Sequence, residues 1–192
     1  MAYRHYETLG LVLSYSSQGE ANRLYKVLTP DFGLILVLAQ GVRLEKSKLR
    51  YNLQNYHLVK LNLVRGKEYW RLTGAEKEIA ANKDQVAFLH KISLILLRQI
   101  HGEEASGVIF SDLKQAWDLL AQEAKPAPSK LEDLEIFVIV RLLFSLGYLA
   151  TGDLTEPIIK TLIFNWVDID FVADQRLALI NIINSSLAQS GL

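Results

Sequence analysis

Near residue 78 the spacing of the apolar residues changes period, and that change decides what this chain can fold into. From Thr8 to about Glu78, short alternating runs are parted by turn residues, the pattern of β-strands. Leu9, Leu11, Leu13 and Tyr15 share one face of a first strand, which Ser16, Ser17, Gln18 and Gly19 should end. A second extended segment, over about 21–29, stops at Thr29-Pro30-Asp31-Phe32-Gly33, with proline early and glycine late in a tight turn. Residues 34–39 are apolar throughout, which predicts a strand buried on both faces. Val59, Leu61 and Leu63 alternate with Lys60 and Asn62. Arg65-Gly66-Lys67-Glu68 then reads as a hairpin turn, and the chain returns with Trp70 and Leu72 on one face. Five short strands predict a small barrel, for which the OB-fold is the commonest five-stranded candidate.

Beyond Glu78 the period is helical. Val86, Leu89, Ser93, Leu96, Leu97 and Ile100 follow it, with Gly102 just past the end. Residues 108–124 predict a second helix, bounded by Pro126 and Pro128. Ser129-Lys130-Leu131-Glu132 has capping-box spacing and should open a third, running to about Leu146. Its segment 136–144 is apolar almost all round, so it should lie centrally in a bundle. A fourth helix is expected from Pro157 to near Asp168 and a last one over 171–188, with Val172, Leu179, Ile180, Ile183 and Leu187 inward. The predicted class is α+β, a five-stranded OB-fold barrel over 1–80 followed by an α-helical bundle over 81–192.

The 192 residues carry as many Lys and Arg as Asp and Glu, 21 of each. The balance hides a split: residues 1–80 hold twelve basic and seven acidic side chains, residues 81–192 nine and fourteen. A basic barrel joined to an acidic bundle points to a polyanion on the first part only. No secretory signal opens the sequence, and the longest apolar run contains Arg141 and falls short of the roughly 18 residues a membrane span needs. A cytoplasmic protein without a membrane partner is expected.

Cysteine is absent, which excludes disulfides, zinc ribbons, iron–sulfur clusters and thiol nucleophiles. His5, His57, His90 and His101 are scattered. His101 with Glu103 and Glu104 is the most metal-like group, but its carboxylates read better as charges at a helix start. The same holds for Glu132, Asp133 and Glu135, and for Asp168 and Asp170. A Walker P-loop, a GxGxxG stretch, a GxSxG elbow and an HExxH helix are all missing. The reading is a protein without catalytic residues, metal, cofactor or small-molecule substrate, and not an enzyme.

The basic half is more informative. Arg43, Lys46, Lys48 and Arg50 crowd between two predicted strands with Glu45 opposing, and Tyr51 and Tyr56 follow. Lys60, Arg65, Lys67 and Arg71 continue with Tyr69 and Trp70. Cations interleaved with aromatics suit a nucleic-acid strand, the cations meeting phosphates and the rings stacking on bases. The same pattern also fits a solvated loop, with Trp70 and the tyrosines packing in the core or at its rim. Arg141, inside so apolar a helix, should pair with a carboxylate of the helical part.

The order of these segments resembles the bacterial DNA repair protein RecO family. Gly19-Glu20-Ala21-Asn22-Arg23-Leu24 and Leu28-Thr29-Pro30-Asp31-Phe32-Gly33 look like its GE-x-x-RL…LTP-x-x-G opening. Ala39-Gln40-Gly41-Val42-Arg43 and Lys46-Ser47-Lys48-Leu49 look like its A-x-G-x-R…KS-x-L loop. Leu53-Gln54-Asn55-Tyr56, Leu63-Val64-Arg65-Gly66 and Leu72-Thr73-Gly74-Ala75-Glu76 follow in matching order, and Leu142-Leu143-Phe144-Ser145-Leu146-Gly147-Tyr148 is similar to its LL-x-x-LGY segment. The four-cysteine zinc module of many members has no counterpart here, and the chain looks shorter than usual after Tyr148. Ile158, Ile159, Leu162, Ile163, Phe164 and Trp166 are the apolar residues expected to hold that region instead.

The resemblance implies a DNA repair and recombination mediator that binds single- and double-stranded DNA, anneals complementary strands, and helps RecA load with RecR and SSB. Arg43, Lys46 and Lys48 match the family loop and Arg23 another motif position; Lys26, Arg50, Lys60, Arg65, Lys67 and Arg71 join them by charge and placement. For the acidic C-terminal tail of SSB, family likeness implies an apolar cleft with a cation in the helical part, with Arg98, Lys114, Arg141, Lys160 and Arg176 as candidates. An RNA-binding OB protein of translation and a scaffold that binds only proteins are the competing readings.

Overall fold

The computed structural model describes residues 4–100, 103, 107–123 and 126–189. Strands β1 (His5–Gln18), β2 (Asn22–Thr29) and β3 (Gly33–Ala39) lead through the one-turn helix α1 (Leu49–Asn52) to β4 (Leu58–Arg65) and β5 (Trp70–Ile79). They close a barrel in the order β1-β2-β3-β5-β4, with β4 returning to β1. Every neighbouring pair is antiparallel except β3 with β5. This is the expected OB-fold, and closure removes the unpaired strand edges that a five-stranded sheet would otherwise expose.

β1 serves two neighbours. Its first half pairs with β4 and its second with β2, and an irregularity between Val12 and Ser14 lets it bend from one to the other. Ser16, Ser17 and Gln18, expected in the turn, instead pair with Leu24, Arg23 and Asn22. In β3, Gly33, Ile35, Val37 and Ala39 are buried while Leu34, Leu36 and Leu38 are half-buried. The expectation of burial on both faces is corrected: an unbroken apolar run does not separate a two-sided core strand from a barrel strand with an apolar outer face. Val27, Ile35, Val37, Leu61 and Trp70 lie in the core.

Helix α2 (Lys83–Gln99) starts in a capping box, the Asn82 side chain accepting from the Gln85 N–H while Gln85 accepts from the Asn82 N–H. Its buried face carries Phe88, Leu89, Ile92, Ser93 and Leu96; Val86, the first residue of the periodic set, is exposed. The hydroxyl of Tyr56 lies 3.0 Å from His90 Nδ1 and 3.4 Å from Ser93 Oγ, which ties α2 to the barrel. The chain divides into two compact units, Met1–Phe110 and Ser111–Leu192, so α2 shares a unit with the strands, whereas a boundary after residue 80 parts strands from helices. The charge split is the same with either boundary, because residues 81–110 carry three basic and three acidic side chains.

Helix α3 (Gly107–Gln122) runs into the second unit, followed by α4 (Pro128–Ser145), α5 (Glu156–Lys160) and α6 (Trp166–Gln189). α4 packs against α6 and buries Leu134, Phe137, Val138, Val140 and Leu143. Ser129 does not cap α4. Ala127 is the cap residue and Pro128 opens the helix, where its missing N–H costs nothing. Glu132 and Asp133 bind Arg176 rather than merely facing a helix dipole. Burial pushes the Asp133 carboxyl above the usual range although Arg176 pulls it down.

The helix expected from Pro157 to Asp168 is broken in two. Arg141 Nη1 donates to the carbonyls of Ile158, Ile159 and Thr161 at 2.8–3.0 Å, taking acceptors that a longer helix would have used internally. α6 then starts five residues before its expected Phe171, with Asn165 Oδ1 accepting from the Asp168 N–H at 3.0 Å. Of the six apolar residues expected to pack this region, Ile158 and Phe164 are buried and Ile159 and Trp166 half-buried. Leu162 and Ile163 are 86% and 77% exposed. No helix among the described residues is long and apolar enough to cross a membrane.

Candidate nucleic-acid interface

The segment between β3 and α1 carries Arg43, Lys46 and Lys48, and its backbone is pinned. Gly41 takes φ 66°, a left-handed conformation that a side chain disfavours, and its N–H donates to Asn22 Oδ1 at 2.9 Å. Val42 is buried in the barrel core. The Arg43 N–H donates to the Ala21 carbonyl at 3.0 Å and its Nη1 to the Gly19 carbonyl at 2.7 Å, so the segment is laced to the β1–β2 turn. Leu53 re-enters the core after α1, and Asn52 Nδ2 donates to the Ala75 carbonyl. Between these anchors Arg43, Lys46 and Lys48 are exposed and Arg50 is half-buried.

Arg23 and Arg50 come together although 27 positions separate them. Both line an open pocket of about 480 Å³ with Tyr15, Tyr51, Leu53, Gln54, Asn55, Tyr56 and Val86. The Arg23 guanidinium lies 4.1 Å from the Tyr15 ring centroid and that of Arg50 4.7 Å from the Tyr51 centroid. Arg50 Nη2 also donates to the Tyr51 hydroxyl at 2.6 Å. Stacking on a ring fixes the plane of a guanidinium and leaves its edge N–H groups for an anion. Deeper in, Tyr25 is fully buried, and burial raises its hydroxyl pKa against the opposing pull of Arg23.

The remaining candidates are dispersed. Lys60 is held by Glu7 at 2.8 Å, a hydrogen bond and charge contact that raise its pKa. Arg65 pairs with Glu103 at 2.7 Å and lies over the Trp70 ring. Lys67 is exposed in the β4–β5 turn. Arg71 lines a separate pocket of about 280 Å³ with His5, Leu38 and Gln40. Lys26 is exposed on β2. Arg23, Arg43 and Arg50 therefore gather around the β1–β2 turn and α1 with Lys46 and Lys48 on the linking segment, while Lys60 and Arg65 are already bound to carboxylates.

The aromatic residues also divide. Trp70 is 1% exposed, donates to Glu103 Oε1 and packs edge-on against Tyr6, so it belongs to the core. Tyr56 is buried as well, whereas Tyr51 is 57% and Tyr15 42% exposed. Sequence reasoning passed over Tyr15 as a site residue. The irregularity after Val12 sets it opposite Tyr25, beside Arg23, and only the strand register reveals that. Of the metal-like group, His101 and Glu104 lie outside the described residues, and Glu103 is engaged by Trp70 and Arg65.

In the helical unit, Arg141 is bound to Asp112 as expected of a cation in an apolar helix, and Arg176 is bound to Asp133 and Glu132. Lys114 makes a half-buried pair with Asp118 and Lys160 an exposed one with Glu156. Arg98 is exposed on α2, in the first unit.

Comparison with known proteins agrees with the barrel. Residues 1–78 match the family model described as recombination protein O N terminal. A DNA repair protein RecO of Heliobacterium modesticaldum is 34% identical over 122 residues, which is 62% of this chain and 45% of that one. Its namesake in Synechocystis is 36% identical over 75 residues (39% of this chain, 28% of the relative), and that of Dehalococcoides mccartyi 37% over 71 residues (37% and 28%). The matched stretches thus span less than half the length of these relatives.

Proposed function

We propose that this chain, whose residues 1–78 match the N-terminal model of recombination protein O, is a DNA-binding mediator of repair and recombination of the RecO kind. The observation that carries the proposal is the cluster of Arg23, Arg43, Lys46, Lys48 and Arg50 around one turn of an OB barrel. Its segment is anchored by Gly41 N–H donating to Asn22 Oδ1 and by Arg43 donating to the Ala21 and Gly19 carbonyls. Phosphate contacts from such residues set affinity and orientation without reading sequence, which suits a protein that must act on any damaged strand.

In this reading the protein binds single- and double-stranded DNA, holds complementary strands close enough to anneal, and works with RecR and with SSB to load RecA. The acidic helical unit repels DNA and is the part available to protein partners. For the SSB tail, Lys160 remains the more accessible cation there, since its exposed pair with Glu156 contributes little, whereas Arg141 and Arg176 are locked into buried carboxylates. The first test is direct. Fluorescence anisotropy with a labelled single strand should show binding at low salt that unlabelled DNA displaces at least as well as RNA. Preference for RNA would favour the translation reading, and no binding at low salt a protein-only scaffold.

A further inference from the structure

We infer that the pocket between Arg23 and Arg50 is a subsite for one unpaired nucleotide, its phosphate on the two guanidinium groups and its base against Tyr51. The inference rests on the DNA-binding reading and adds what that reading lacks, a reason for the protein to distinguish a single strand from a duplex. Two guanidinium groups face one pocket whose lining contains no acidic residue. Like charges converging without a counter-charge favour an anion between them. The Arg23 guanidinium is held over the Tyr15 ring on the wall of this pocket. The volume of about 480 Å³ exceeds what a phosphate alone fills.

The rings supply the second half of the site. Tyr51 is more than half exposed although it sits in a pocket wall, and its orientation is fixed by Arg50 through both the ring face and the hydroxyl. Base–aromatic stacking tolerates any sequence because every base has a π-face. A base inside a duplex is already stacked on both sides and cannot enter. Gln54 and Asn55 at the rim offer amide donors and acceptors to a base edge or sugar.

The full-length protein can be titrated with three labelled probes of equal length: an oligothymidylate, the same strand with abasic sites throughout, and a duplex. The parent should bind the oligothymidylate about tenfold more tightly than the abasic strand, within the range stacking provides. Tyr51→Ala, at an exposed position where folding is not at stake, should weaken oligothymidylate binding far more than abasic or duplex binding and so remove most of that ratio. Arg50→Gln should weaken all three. Equal affinity of the parent for normal and abasic strands, or a Tyr51→Ala loss as large on the duplex as on the oligothymidylate, would overturn the subsite and leave DNA binding standing. An acidic peptide that displaced the abasic strand from the parent but not from Arg50→Gln would assign the pocket to protein and likewise overturn it. No binding of any probe would remove the premise itself.

Discussion

Arg141 grips Asp112 with two prongs, Nε to Oδ2 and Nη2 to Oδ1, both at 2.9 Å, where only 11% and 7% of the side chains reach solvent. The same guanidinium donates through Nη1 to three carbonyls at the end of α5 and stacks 5.1 Å from the Phe164 centroid. One side chain thus joins α3, α4 and the connection before α6. Removing one member of a buried pair leaves an unsatisfied charge. Asp112→Ala should therefore cost about 3–5 kcal/mol in urea unfolding. A loss below about 1 kcal/mol would show that the pair is not a keystone.

The six apolar residues expected to hold the region after Tyr148 should separate by burial. Ile158→Ala should destabilise by about 2–5 kcal/mol and Phe164→Ala by about 3–5 kcal/mol, since each leaves a cavity. Leu162→Ser and Ile163→Ser, at exposed positions, should stay within about 0.5 kcal/mol of the parent. Because packing and the Arg141 bonds account for this region, EDTA should leave the melting temperature where it was. A large drop with EDTA would reveal a structural metal.

His57 gives the barrel a pH dependence. Burial lowers its pKa below the ordinary 6.5, against a hydrogen bond to the Asn52 backbone carbonyl that raises it. The folded state therefore binds the proton less well than the unfolded chain. Stability should be complete above about pH 6.5 and fall as pH drops through the window between that value and the lowered one. His57→Leu should flatten the urea midpoint between pH 7.5 and 5.5. An unchanged slope would assign the effect to other groups.

Lys46→Ala with Lys48→Ala should weaken binding to unrelated DNA sequences about equally and lower the salt slope by about 1.4 for a single strand, two contacts at ~0.7 each. Melting should hardly change, both residues being exposed. Lys60→Ala is the contrast, since Glu7 already neutralises that cation and DNA affinity should stay within about twofold. A strong Lys60 effect with a silent Lys46/Lys48 pair would move the interface to the other strands.

Much of the barrel was legible because period-two alternation and turn chemistry are local properties; Pro30 and Gly33, for instance, mark the β2–β3 turn without any tertiary context. The helical end was less so. Residues 157–168 have the composition of one helix, but Arg141, distant in sequence, withdraws the carbonyls that would continue it. For the site, charge density picked out Arg43, Lys46 and Lys48. It could not separate Arg50, stacked on Tyr51, from Arg65, neutralised by Glu103, because Glu103 lies far along the chain. Nor could it find Tyr15, whose place depends on a register irregularity in β1.

The central claim is that a cationic cluster on the barrel holds DNA through its phosphates. Titrating the whole protein with a labelled single strand across a salt series tests it most directly. With roughly four to six phosphate contacts, log affinity against log salt should fall with a slope of about −3 to −4. A slope near zero, or no binding even at the lowest salt, would contradict the account.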